Sequence, residues 1–157
     1  MKTDETVIAN LQTTCAVLSH MKEQFTIHKL ALCSMDLDWL AHRVHCWHKK
    51  ASHHERIFIK RLLYYGADPE FVCGSVKKLD DVESVLNDCL SMSASALAQF
   101  TSFRKQAWEA LADYTTDRYE HVIEDMEKIS FKAQRELNLI NDLGQPGYVG
   151  ARLEDGK

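Results

Sequence analysis

The stretch LDWLAHRVHCWHKKASHHERIFIKRLLYY, residues 37–65, decides the fold class of this chain. Its apolar residues recur every three or four positions, which is the spacing of one helix face and not the alternation of a strand. The members of this apolar stripe are Val44, Trp47, Ala51, Phe58, Leu62 and Tyr65. Gly66 and Pro69 follow, and both residue types mark the end of a helix. The stretch therefore predicts one long amphipathic helix.

Three further segments carry the same periodicity. The first is expected over about residues 4–32. The third is expected to begin with a cap at Asp80 or Asp81. The fourth is expected to run from a cap at Thr115 or Thr116 to Gly144. The connection over residues 66–79 is too long for a tight hairpin and predicts a crossover between the two ends of a bundle. Residues 148–153 can form a short C-terminal helix. The sequence thus predicts an all-α, antiparallel four-helix bundle as a single domain over residues 1–157.

Composition excludes several classes of function. The formal net charge is −4 and the isoelectric point is about 6.0, whereas a nucleic-acid surface is usually basic. The chain has no apolar run near the roughly 20 residues of a membrane span and no secretory leader, so we expect a cytoplasmic protein. Its five cysteines form no Cys-x-x-Cys pair. We expect most of them to be small buried side chains and not disulfides.

Three segments resemble one known family. They are MKTDETVIANL (residues 1–11), HERIFIKRLLYY (residues 54–65, followed by Gly66 and Pro69) and ELNLINDLG (residues 136–144, followed by Tyr148). In order and spacing the chain resembles a bacterioferritin. That resemblance implies a ferritin-like bundle whose subunits assemble into a hollow iron-storage cage. It also implies an oligomer, formed either by this chain alone or with a competent bacterioferritin subunit.

The same resemblance implies that the catalytic site is degenerate. The family holds two irons with a glutamate from each of two helices and a Glu-x-x-His pair from each of the other two. Those positions fall on Leu18, Ala51, His54, Ser93, Met126 and Ile129. The haem-ligating methionine falls on Ser52, and a tyrosine beside the iron site falls on Phe25. One imidazole and one hydroxyl cannot hold two hard iron ions, so we expect neither ferroxidase activity nor haem.

His54 and Lys50 each leave two interpretations open. His54 is either a remaining metal ligand or a hydrogen-bonded core histidine, and buried carboxylates near it would favour a ferroxidase with relocated ligands. Lys50 either pairs with a carboxylate or extends its amine to solvent. Aromatic residues could anchor subunit contacts or belong to the ordinary core. These are Trp39, Trp47, Trp108, Tyr64 and Tyr65.

A second candidate metal site lies on the same predicted helix. His42, His45 and Cys46 are spaced i, i+3, i+4, so they share one helix face. The resemblance implies that Cys46 faces the storage cavity. Imidazole and thiolate suit Zn(II) or Cu(I) better than hard iron. The alternative is a solvated polar face with incidental histidines.

Overall fold

A computed structural model describes residues 2–155, which form four helices and their connections, with no strand among them. The helices are α1 (Lys2–Ser34), α2 (Asp38–Tyr64), α3 (Val82–Glu109) and α4 (Asp113–Asp155). The all-helical prediction is therefore confirmed. In this part of the chain, none of the helices combines the length and apolarity that crossing a membrane requires.

The helix ends follow local backbone chemistry. The Asp81 side chain accepts a hydrogen bond from the Ser84 backbone N–H at 2.8 Å, which confirms the expected cap of α3. Gly66 has φ +73° after the end of α2, a left-handed conformation that glycine adopts without cost. The expected cap of α4 at Thr115 or Thr116 is wrong, because the helix already begins at Asp113.

The reason for that error is a tight turn between α3 and α4. Leu111 has φ +58°, so the chain reverses within three residues and the next helix starts earlier than its threonines suggest. Both threonines lie buried in the first turn of α4. The Thr116 hydroxyl donates to the Ala112 carbonyl at 2.9 Å instead of capping the helix.

The helices pack as two neighbouring pairs. α1 contacts α2 and α3, and α4 contacts α3 and α2. Asn10 bonds to Gln106, and His28 bonds to Asp88. α1 and α3 are therefore antiparallel. Since α1 is also antiparallel to α2 across a short turn, α2 and α3 run in the same direction.

The connection between α2 and α3 lies along α1. Near its start, the Gln12 amide donates to the Asp68 carbonyl at 2.7 Å. Near its end, the Gln24 amide donates to the Lys77 carbonyl at 2.7 Å and accepts from the Lys77 N–H at 3.0 Å. These contacts return the chain to the end of the bundle from which α3 must begin.

α4 is broken at Gly144, where φ is 72° and ψ is 159°. The residues beyond it are helical again, but they fold back. The Arg152 guanidinium lies 2.7 Å from the Glu136 carboxylate, whereas 16 residues of straight helix would separate these groups by about 24 Å. The predicted stop at Gly144 is confirmed.

The predicted apolar stripes form one core. Its largest fully buried members are Leu11, Leu18, Met21, Phe25, Leu32, Leu37, Leu40, Phe58, Leu62, Phe100, Tyr119 and Tyr148. Trp47 is buried there too, whereas Trp108 is 66% exposed and Tyr64 is 73% exposed. All five cysteines are free, and two of them, Cys15 and Cys89, are buried. The expectation that most cysteines are buried is wrong, because Cys33 and Cys73 lie at a helix end and in the long connection, where backbone is exposed.

Candidate functional site

The six positions that the resemblance assigns to a ferritin-type iron site are all buried, and they come from all four helices. They are Leu18, Ala51, His54, Ser93, Met126 and Ile129, none of them more than 3% exposed. Four of the six are apolar members of the core cluster. The Ser93 hydroxyl lies 2.7 Å from the Ser130 hydroxyl and joins α3 to α4. Methyl and methylene groups therefore fill the volume that a di-iron centre would require.

His54 is held by a carboxylate from the neighbouring helix α4. Its Nε2 lies 2.6 Å from Asp125 Oδ2, and Lys50 Nζ lies 3.1 Å from Asp125 Oδ1. His54 is thus a hydrogen-bonded core residue, one of the two interpretations left open by the sequence. Lys50 pairs with a carboxylate, although 40% of its side chain is exposed.

The charges of this cluster are set by burial and by the hydrogen bonds. Burial lowers the pKa of His54, and the hydrogen bond to Asp125 only partly opposes that change. Burial raises the pKa of Asp125, but the hydrogen bonds from His54 and Lys50 more than offset this, so its pKa lies below the ordinary value. Near neutral pH the cluster is therefore a Lys50–Asp125 ion pair with a neutral imidazole.

A second carboxylate near the bundle centre is also neutralised by a lysine. Glu55 is 7% exposed, and its Oε1 lies 3.0 Å from Lys22 Nζ. Sequence analysis missed both carboxylates. Glu55 directly follows His54, and Asp125 directly precedes Met126. Both carboxylates are therefore visible in the sequence beside positions that the resemblance assigns to iron ligands, although their bonding partners are not. Lysine amines now supply the positive charge that a metal ion would otherwise contribute.

These residues do not fit a di-iron centre or a haem. Among the side chains that the structure describes, residues 4–153, no group of three or more His, Cys, Asp or Glu is arranged to hold a metal ion. Ser52 is half-buried, and its hydroxyl is not the thioether that the resemblance implies as a haem ligand. Phe25 is fully buried and packs against Trp47 with ring centroids 6.1 Å apart.

The His/Cys face of α2 is only partly assembled. Cys46 Sγ lies 3.9 Å from His42 Nε2. His45 is turned away from this pair, because its ring stacks on His48 at 5.7 Å and its Nδ1 lies 3.5 Å from Lys29 Nζ. A single chain therefore presents two neighbouring soft-metal ligands, and the three-ligand site stays a prediction.

Comparison with known proteins gives no family assignment. No protein-family model and no curated protein matches this chain. Its function is therefore inferred from the residues of the bundle centre and of the helix surfaces.

Proposed function

We propose that this chain is a ferritin-like subunit that has no di-iron centre of its own and serves as a structural part of an iron-storage cage. It would assemble alone or beside a competent bacterioferritin subunit. One observation carries this proposal: the ligand positions hold buried apolar or small side chains, and the remaining imidazole of His54 is bonded to Asp125. The long connection along α1 and the helical segment beyond Gly144 also agree with the ferritin-like crossover and short C-terminal helix.

The energetics of the core agree with a structural role. A ferritin-type site places several carboxylates inside a bundle, where charges without partners are costly. Leu18, Met126 and Ile129 instead contribute about 1.5–3 kcal/mol each when fully buried. The subunit therefore does not need metal to stabilise its core.

A ferroxidase with relocated ligands is the weaker alternative. Glu55 and Asp125 are carboxylates near His54, as that alternative requires. Each is already bonded to a lysine, however, at 3.0 Å and 3.1 Å. A metal would have to displace both cations, and three ligands are few for two iron ions.

The native mass of the purified chain tests the cage proposal. We expect light scattering and native mass spectrometry to find a closed assembly of many subunits, since the loss of the iron site does not alter the outer helix faces. If the chain does not form a shell alone, it should enter mixed shells when it is produced together with an iron-oxidising bacterioferritin subunit. A chain that stays monomeric or dimeric alone and is absent from such shells would contradict the proposal.

A second candidate function, binding of a soft metal on α2, is favoured by the contact between His42 and Cys46. A symmetry-related subunit could supply the ligands that one helix lacks.

Zn(II) should bind the parent more tightly than a variant with His42→Ala, His45→Ala and Cys46→Ala. Binding should weaken as the pH falls, because imidazole and thiol coordinate a metal only in their deprotonated forms. A His53→Ala variant is the control, because that exposed histidine lies outside the pair. Equal affinity in all three proteins would mean that this face of α2 is an ordinary solvated polar surface and not a metal site.

A further inference from the structure

A cleft of about 250 Å³ lies between the first turns of α2 and the middle of α4. The segment that folds back after Gly144 closes one side of it. Its lining includes Trp39, Arg43, Lys132, Arg135, Glu136 and Arg152. Neither the proposed cage role nor the candidate metal sites use this cleft.

The cleft carries positive charge that the protein does not neutralise. Its lining contains four cationic side chains and one carboxylate, in a chain whose formal net charge is −4. The carboxylate, Glu136, is 8% exposed and is already bonded to Arg152 at 2.7 Å and to the Tyr148 hydroxyl at 2.5 Å. Among residues 4–153, whose side chains the structure describes, no ion pair involves Arg43, Lys132 or Arg135.

Several of these cations are held in place before any ligand binds. The guanidinium carbons of Arg43 and Arg152 lie 5.0 Å and 4.0 Å from the centre of the Trp39 ring. A guanidinium stacked on an aromatic ring keeps its N–H donors in the plane, where they can bind an oxyanion. Lys132 and Arg135 are three residues apart on α4, so they share one helix face.

We propose that this cleft binds a phosphate group, as inorganic phosphate or as a small phosphate monoester. The guanidinium group of an arginine can donate two parallel, charge-assisted hydrogen bonds to two oxygens of a phosphate group. Lys132 adds a mobile point charge at the same site. The ion pair between Glu136 and Arg152 orders the wall of the cleft and leaves the other three cations to the ligand. This proposal does not depend on the ferritin-like role.

Calorimetric titration of the full chain at low ionic strength tests the site. The probes are inorganic phosphate and glycerol phosphate, each added to the parent and to a Lys132→Gln, Arg135→Gln variant. We expect saturable binding to the parent and an affinity at least about tenfold lower in the variant. The matched control is Arg56→Gln, Lys60→Gln, because both side chains are exposed on α2 and the same charge is removed. It should bind within about twofold of the parent.

Two results would overturn the proposal. One is the absence of saturable binding of either probe to the parent. The other is an equal loss of affinity in both double variants, because this would reflect net charge and not the cleft. Circular dichroism checks that each variant keeps the helical content of the parent. Between the probes, tighter binding of glycerol phosphate would assign a monoester, and tighter binding of inorganic phosphate would assign the free ion.

Discussion

The proposed ferritin-like role places His54 at the position of an imidazole ligand, but the surroundings of this residue do not suit a metal. The other positions that the resemblance assigns to ligands could be located in the sequence, and one of them, Ala51, lies on the predicted apolar stripe of the second helix. The bond between His54 and Asp125 could not be predicted in that way, because the two residues are 71 positions apart and only the packing of α4 on α2 brings their side chains to 2.6 Å. Lys50 had two interpretations in the sequence for the same reason. Side-chain pairs between helices depend on register, which periodicity does not fix.

The buried histidine makes stability depend on pH. Burial lowers the pKa of His54 in the folded chain from 6.5, so just below that pH the unfolded chain binds more protons. The free energy of unfolding should therefore fall as the pH drops from about 7.5 to about 5.5. Burial lowers the pKa of His28 as well, and the same sign follows.

Urea unfolding at those two pH values measures this dependence. A His54→Gln variant should lose less stability on acidification than the parent, because one of the titrating groups is gone. His53→Gln is the control, since this neighbouring side chain is exposed, and it should behave like the parent. If His54→Gln kept the full pH dependence of the parent, the burial of His54 described above would be wrong.

At the scale of helices, the periodicity of apolar residues and the positions of capping and helix-breaking residues predicted most of the fold. The cap at Asp81 and the breaks at Gly66 and Gly144 were recognisable because each residue type has a local backbone reason to be there. The start of α4 was not, because the tight turn uses Leu111 at positive φ. A leucine carries no sequence signal for that conformation.

Helix faces give the sharpest test of the core. Ser93 is fully buried and bonded to Ser130, whereas the next residue, Ala94, is exposed. Placing a carboxylate at this buried position with Ser93→Glu should lower the free energy of unfolding of the metal-free chain by about 3 kcal/mol or more. Ala94→Glu should change it by less than about 0.5 kcal/mol. If denaturant unfolding gave the same stability for both variants, the assignment of Ser93 to the buried face of α3 would be wrong.

The break in α4 depends on one glycine. Gly144 combines positive φ with extended ψ, a region that is nearly restricted to glycine, so Gly144→Ala should cost about 1–3 kcal/mol. The added methyl group itself would meet nothing nearer than 4.0 Å, so backbone strain is the cause. Gly150→Ala, in open space on the helical segment beyond, should be neutral or slightly stabilising. Equal thermal unfolding of both variants would contradict the fold-back at Gly144.

At the scale of the whole molecule, the bundle follows from the sequence but its charged sites do not. Four amphipathic helices, short turns and one long connection have few ways to bury their stripes together. The Lys22–Glu55 pair and the cationic cleft combine residues from different helices, and the cleft also needs the reversal at Gly144. Neither could be predicted before the packing of α1 on α2 and of α4 on α2 was known.

The central claim, that this bundle has no working iron centre, is tested most directly by oxygen-dependent Fe(II) oxidation. Stopped-flow absorbance would follow the reaction in the purified parent, in His54→Ala and in the control His53→Ala. Because the ligand positions are apolar and Asp125 is bonded to His54 and Lys50, all three proteins should oxidise Fe(II) at the rate of the buffer. Rapid oxidation by the parent and by His53→Ala, abolished in His54→Ala, would contradict the claim.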